Sequence, residues 1–210
     1  MFIIIADQIG SSTDTDRVAG ALHEITSCFG THYPLAPERT AGDELQAMTF
    51  DATTALETTL LLLRAPHWRV GVGVGTVSMP LPGSIREARG PAFVAARAAI
   101  EQAARRTTRF ALVASGQAAP RVEQCGSLIS LLLTLRARWS AAGWQLYDLL
   151  EAGLTQAEAA EQLGVTPQAT SKRARAAALR IDADARRALT LLLAELGATV
   201  EEPTPEGEPS

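Results

Sequence analysis

Cysteine is nearly missing from this chain of 210 residues: only Cys28 and Cys125 occur, far apart and outside any CxxC spacing. A disulfide framework and a structural zinc site are therefore not expected, and both thiols read as small buried hydrophobes. Long apolar runs are missing as well. Phe2 to Ala6 and Leu60 to Leu63 are too short to cross a bilayer. No basic stretch precedes the first of them, so it reads as a strand and not as a signal peptide. A cytoplasmic protein without a membrane partner is expected. An excess of positive charge is also lacking, since 19 Lys and Arg against 23 Asp and Glu leave a net charge of −4. A chain that gripped nucleic acid with its whole surface would be basic, so any DNA contact must be local. What the chain does have is 47% hydrophobic residues and length for one large or two small domains, a globular composition.

Two halves follow different patterns. Up to about Ser115, strand and helix signals alternate. Phe2 to Ala6 is an apolar strand, and Val18, Leu22, Ile25 and Phe29 then fall on one face of a helix. Leu35 to Arg39 and Glu44 to Thr49 read as strands joined by the tight turn Ala41-Gly42-Asp43. Ala52 to Leu63 is expected to be helical, Trp68 to Val74 a strand, Gly90 to Arg106 a helix and Arg109 to Ala114 a last strand. The order βαββαβ with an extra αβ suits an antiparallel or mixed sheet with helices on one face. From about Ala118 the strand signals stop. Leu128 to Arg138, Gly143 to Glu151, Gln156 to Leu163, Pro167 to Leu179 and Ala183 to Leu196 read as helices, with Gly153, Gly164 and Gly197 at their C-terminal caps. Thr199 to Ser210 is rich in Glu and Pro without an apolar face, and is expected to be a disordered acidic tail.

The strongest local signal runs from Thr155 to Arg173. Thr155 is placed to cap a helix, with Glu158 three residues on completing a capping box. Ala160 is small where two helices cross, Gly164 gives the turn its backbone freedom, and Val165 plugs the core beneath it. Thr166 caps a second helix whose first position is Pro167. This is the pattern of a helix-turn-helix, and it points to double-stranded DNA as partner. Between Pro167 and Ile181 stand four cations, Lys172, Arg173, Arg175 and Arg180, and no acid. The candidate DNA-binding residues are Gln156, Thr166, Gln168, Thr170, Ser171, Lys172, Arg173 and Arg175. Gln168 is suited to a bidentate contact with adenine, Thr170 or Ser171 to a base edge or phosphate, and the cations to phosphates. Thr170 and Ala174 stand where such helices commonly carry Val and Leu as core anchors. Binding to another protein is the competing reading of the same hairpin.

The start Ile4-Ile5-Ala6-Asp7, the turn Ala41-Gly42-Asp43-Glu44, Gly90-Pro91-Ala92-Phe93 with Arg97, and the C-terminal helical hairpin together resemble the SatD family of bacterial proteins over nearly the whole chain. The hairpin is more distantly similar to sigma-factor region four. The SatD resemblance implies a DNA-associated bacterial protein.

Asp7 ends the first strand and Asp43 lies in the turn between the second and third. In a ferredoxin-like sheet these ends lie side by side, so two carboxylates could share metal ions. The order of elements also resembles the catalytic domain of class III nucleotidyl cyclases, in which two such Asp residues hold magnesium over a nucleoside triphosphate. The resemblance implies Asp7 and Asp43 as metal ligands, Arg39 at the base-selecting position and Arg97 as a phosphate-stabilising group, with Mg and a nucleotide as cofactors. The chain departs from that pattern at Phe93, where the cyclases carry an Asn that orients the ribose, because a phenyl ring cannot hydrogen-bond a sugar. Structural roles for the two Asp residues, a loop cap and an Asx turn, stand beside metal binding. Gly71, Gly73 and Gly75 form no phosphate loop, since no Lys-Ser or Lys-Thr follows.

The expectation is thus an α+β protein. A ferredoxin-like, class III cyclase-like sheet domain spans 1–117, an all-α helix-turn-helix domain spans 118–198, and the tail spans 199–210. A homodimeric DNA-binding regulator, with its first domain dimerising and sensing a nucleotide, is the main functional expectation. A metal-dependent nucleotidyl cyclase or transferase with an attached DNA-binding module is the alternative.

Overall fold

A computed structural model describes residues 1–11, 13–116 and 119–201. Within them lie five strands, β1 (Phe2–Gln8), β2 (Glu38–Ala41), β3 (Glu44–Thr49), β4 (Trp68–Val74) and β5 (Phe110–Ala114). The helices are α1 (Val18–Phe29), α2 (Ala52–Arg64), α3 (Pro91–Ala103), α4 (Ala119–Arg136), α5 (Ala141–Glu151), α6 (Gln156–Gln162), α7 (Pro167–Ala176) and α8 (Leu179–Glu201), with one 3-10 turn at Gly30–His32. The protein is α+β, and its strands form one mixed sheet in the order β2-β3-β1-β4-β5. Only β4 and β5 pair in parallel, as a crossover through a helix requires.

Strand residues alternate between the sheet's two faces. Ile3, Ile5 and Met48 point to α3, in a cluster with Ala92, Ala96, Ala99 and Ile100. On the opposite face Phe2, Val72, Phe110 and Leu112 meet Ala55, Leu56 and Thr59 of α2, Ile129 of α4 and Leu193 of α8. Helices therefore cover both faces, where the sequence pattern suggested one. The reason is visible in β1, β3 and β4, whose residues are buried on both sides, a pattern of sheets enclosed by two layers.

The glycines of β4 serve that enclosure. A methyl group on Gly71 or Gly73 would lie 2.2 Å from the backbone nitrogen of Ile100 or Ala96. The α3 backbone thus rests directly on the strand. Two residues of strand rise by about 6.6 Å and four residues of helix by about 6 Å, so glycines two apart meet helix positions four apart in step.

The chain divides into two compact units. Leu131–Ala188 forms one, and the sheet with the described residues on either side of that segment forms the other. This grouping is discontinuous, unlike the consecutive division expected at residue 117, because α4 starts at Ala119, ahead of the expected Leu128, and α8 extends to Glu201. The first three residues of the expected acidic tail, 199–201, are accordingly helical, while 202–210 lie outside the described residues. Gly197 is inside α8, with a Cβ position 3.3 Å from the Phe2 ring, and so is a packing glycine and not a cap. Cys125 is buried as expected, but Cys28 is exposed, at the outer side of α1. Among the described residues no helix is long and apolar enough to cross a membrane.

Replacing Gly73 with Ala is expected to lower the unfolding free energy by about 3 kcal/mol or more, the upper range for overpacking, because backbone and not a flexible side chain occupies the space. Gly20→Ala is the control. Gly20 is exposed inside α1 with nothing within 4 Å of its Cβ position, so stability should rise by about 0.5–1 kcal/mol. Urea denaturation of the two variants checks both signs.

Candidate functional site

The Leu131–Ala188 unit is built around a cluster of Trp139, Leu146, Ala159, Ala177 and Leu179, flanked by Trp144, Tyr147, Leu149, Leu150 and Ala174. The three helices α5, α6 and α7 contact one another in every pairing. Each turn between them is locally determined. Gly153 and Gly164 end α5 and α6 at positive φ, +91° and +63°. In both turns the next residue's N–H reaches back five positions, Leu154 to Leu149 (3.1 Å) and Val165 to Ala160 (3.0 Å), the bond that defines a Schellman motif. Thr155 and Glu158 form the complete capping box. Thr166 Oγ1 accepts from the Ala169 N–H (3.2 Å), and Pro167 follows at the first helical position.

This scaffold sets which side of α7 faces out. Gln168, Lys172 and Arg175 fall at i, i+4 and i+7 and are all exposed. Ser171 borders them, half-buried, and Arg173 lies to the side, also half-buried. Thr166 and Gln156 are exposed at the starts of α7 and α6. Thr170, also expected at the interface, is fully buried, its hydroxyl donating to the Thr166 carbonyl (3.4 Å). It fills the core-anchor position with Ala174, and cannot reach a ligand. Val165 is only half-buried and is not part of the central cluster. Arg180 belongs to α8, since α7 ends at Ala176. Among the described residues no carboxylate pairs with Lys172, Arg173 or Arg175.

Beneath the hairpin lies a network the sequence did not reveal. Arg136, near the end of α4, donates to both oxygens of Asp182 on α8, at 2.6 and 2.8 Å, with both side chains almost fully buried. The guanidinium sits 5.3 Å from the Trp139 ring centroid and 5.0 Å from that of Tyr147. Arg186 joins the same Asp182 (3.2 Å) and holds Glu151 at the end of α5 (2.6 Å). Burial pushes the Tyr147 hydroxyl above its ordinary range, against the opposing pull of Arg136 and Arg186. One signal was available: an Arg closing the mostly apolar stretch Leu131 to Leu135 must find a buried anion or turn outward.

At the other candidate site, β1 and β3 pair with Asp7 opposite Glu44, which brings the expected carboxylates Asp7 and Asp43 to one sheet end. Asp7 accepts from Arg69 (3.1 Å), and Asp43 accepts from the Ser11 hydroxyl. Burial, then the nearby Asp43 charge, raises the Asp7 pKa above the usual carboxylate value, with Arg69 acting the other way. The expected phosphate-binding arginines are both engaged. Arg39 clamps Asp16 through one nitrogen (2.5 and 2.7 Å), and Arg97 grips both oxygens of Glu44. Burial works to raise the Glu44 pKa, but hydrogen bonds from Arg97, Thr40 and Gln46 prevail and lower it. Glu44 and Gln46 were missed as site residues, although polar side chains alternating with Met48 on an inward strand face are an anomaly readable from the sequence. Among the described residues no group of three or more His, Cys, Asp or Glu is arranged to hold a metal ion. His23 and His32 are exposed, and His67 lies 3.7 Å from Asp14.

Comparison of the chain with family models, with curated proteins and with solved structures finds no match.

Two outcomes follow from these charges. Asp182→Ala strands Arg136 in a buried setting and should cost about 3–5 kcal/mol, read as loss of the near-ultraviolet signal of Trp139 and Trp144 at lower urea. For Asp7, a folded pKa above the unfolded one means that the folded state binds the proton more tightly. The stability this contributes is present at low pH and lost as pH rises through the folded value. Asp7→Asn should therefore be more stable than the native chain at neutral pH, with the advantage gone near pH 3. Denaturation curves across that interval, with equal stability throughout as the contrary result, decide the point.

Proposed function

We propose that this protein is a DNA-binding regulator that docks α7 in the major groove of double-stranded DNA. The observation that carries the reading is the outward face of α7, where Gln168, Lys172 and Arg175 stand together with no carboxylate partner among the described residues. Unpaired cations on a net-acidic protein are available to phosphates, and their release of counterions supplies affinity. Gln168, on the first turn of the helix, has the donor and acceptor needed to read adenine N6 and N7. The geometry of α6, the Gly164 turn and α7 supports a helix-turn-helix, in which the second helix enters the groove N-terminus first.

The remainder of the reading concerns the sheet unit. A βαββαβ order supports a ferredoxin-like, cyclase-like ancestry, in line with the SatD resemblance, and we assign to this unit the pairing of two protomers. A homodimer places two α7 helices in half-sites about 34 Å apart. The engagement of Arg97 by Glu44 and of Arg39 by Asp16 favours a scaffold that has lost turnover over an active nucleotidyl cyclase. Asp7 and Asp43 remain the pair that would hold Mg with a nucleotide.

Lys172 is the chain's only lysine, which makes the test direct. Amine acylation of the full-length protein, followed by mass spectrometry, should modify Lys172 in the free protein, and bound DNA should protect it. Lys172→Ala with Arg175→Ala should weaken binding to all duplexes and reduce the salt slope by about two counterions. Gln168→Ala should instead relax preference at one base position, by about 1–3 kcal/mol. An acylation rate unchanged by a selected duplex, with an unchanged salt slope, overturns the assignment.

A further inference from the structure

The sheet unit carries a cleft of about 640 Å³ between α3, the segment preceding it, and the β1–β3 face. Its size lies within the range of small-molecule sites, about 300–1,000 Å³. Ile5, Ile85, Ala88, Phe93 and Ala98 give it apolar walls. Its polar lining differs from those walls: beside Thr40 and Gln46 it has three arginines, the exposed Arg86, Arg89 and Arg97, against a single carboxylate residue, Glu101. Two of the three are committed. Arg97 is gripped by Glu44, and Arg86 contacts Glu38 (3.2 Å). Arg89 differs. Its guanidinium donates to the carbonyls of Arg86 (2.8 Å) and Ala88 (3.0 Å), which orient the group without neutralising it, and among the described residues no carboxylate pairs with it.

We infer that this cleft binds a small organic anion, an apolar group bearing one carboxylate or phosphate, with the anion on Arg89 and the apolar part against Phe93 and Ile85. An oriented, unneutralised guanidinium beside apolar walls favours a ligand that carries both features, because a bare anion leaves the walls wet and a neutral ligand leaves the charge unanswered. Phe93, which argues against a ribose held for chemistry, here becomes the contact surface. The inference is independent of DNA binding, and it needs neither Asp7 nor Asp43.

Calorimetric titration of the full-length protein tests it with four probes: phenyl phosphate, benzoate, inorganic phosphate and benzyl alcohol. Saturable binding is expected for phenyl phosphate or benzoate, with whichever binds distinguishing a phosphate from a carboxylate ligand. Inorganic phosphate and benzyl alcohol should bind at least about tenfold more weakly. Arg89→Gln should weaken the bound aromatic anion by about tenfold or more, the effect of losing a charge-assisted contact. Ala98→Phe, which fills the cleft and keeps every charge, should do the same. Thermal melting of both variants within error of the native chain excludes misfolding as the cause, and binding by a variant that melts normally yet keeps full affinity overturns the site. Absence of heat from both aromatic anions, equal binding of the charged and neutral probes, or binding only of magnesium-ATP in a manner lost with Asp43→Asn likewise overturns it.

Discussion

The contact between β4 and α3 is the constraint on which the sheet unit depends. Gly71, Gly73 and Gly75 present bare backbone, and the alanines of α3 let the helix lie against it, so that any side chain at the first two positions would meet backbone atoms. Such an approach gives many weak dispersion contacts over a short length of chain, and it fixes the helix in both translation and rotation. The rotation matters most. With Ala92, Ala96, Ala99 and Ala103 inward, Phe93 and Arg97 are turned toward the β1–β3 side, where Arg97 finds Glu44 and Phe93 lines the cleft. A stripe that resembles a nucleotide loop in composition is thus a packing surface.

The Leu131–Ala188 unit solves a different problem, that of holding three short helices in one arrangement. None of α5, α6 or α7 exceeds eleven residues, and isolated helices of that length are marginal in water. Three N-terminal caps, Ser140, Thr155 and Thr166, define where the helices start, and two Schellman turns define where α5 and α6 stop. The aromatic cluster and the buried Arg136–Asp182 pair then tie α5 to α4 and α8. A buried ion pair is weak as a source of stability but strict about geometry, because either partner alone is costly. Any arrangement of α4, α5 and α8 that separates Arg136 from Asp182 therefore leaves a buried charge unanswered.

Much of this was readable from the chain itself. The Thr155–Glu158 box, the Gly164 turn, and the Thr166-Pro167 start are local devices, each decided by residues within a few positions of one another, and each was found where the sequence placed it. The limits of β4 and the start of α1 follow in the same way from periodicity. The adjacency of Asp7 and Asp43 also follows, because a hairpin and one antiparallel pairing suffice to bring them together.

What tertiary structure alone decided concerns partners distant in sequence. The pairing of Arg97 with Glu44, 53 positions away, and of Arg39 with Asp16 exists only in the folded chain. Thr170 changed from a DNA contact to a core residue, since whether a helix position faces in or out depends on which neighbours cover it. The enclosure of the sheet on both faces depended on α4 and α8, whose ends return to it from residues after 118 and 188. Local backbone preferences act within a turn or two and can be seen in a short window. Charge pairing and burial depend on side chains that meet only when the chain has closed on itself, and those the sequence could not specify by pattern.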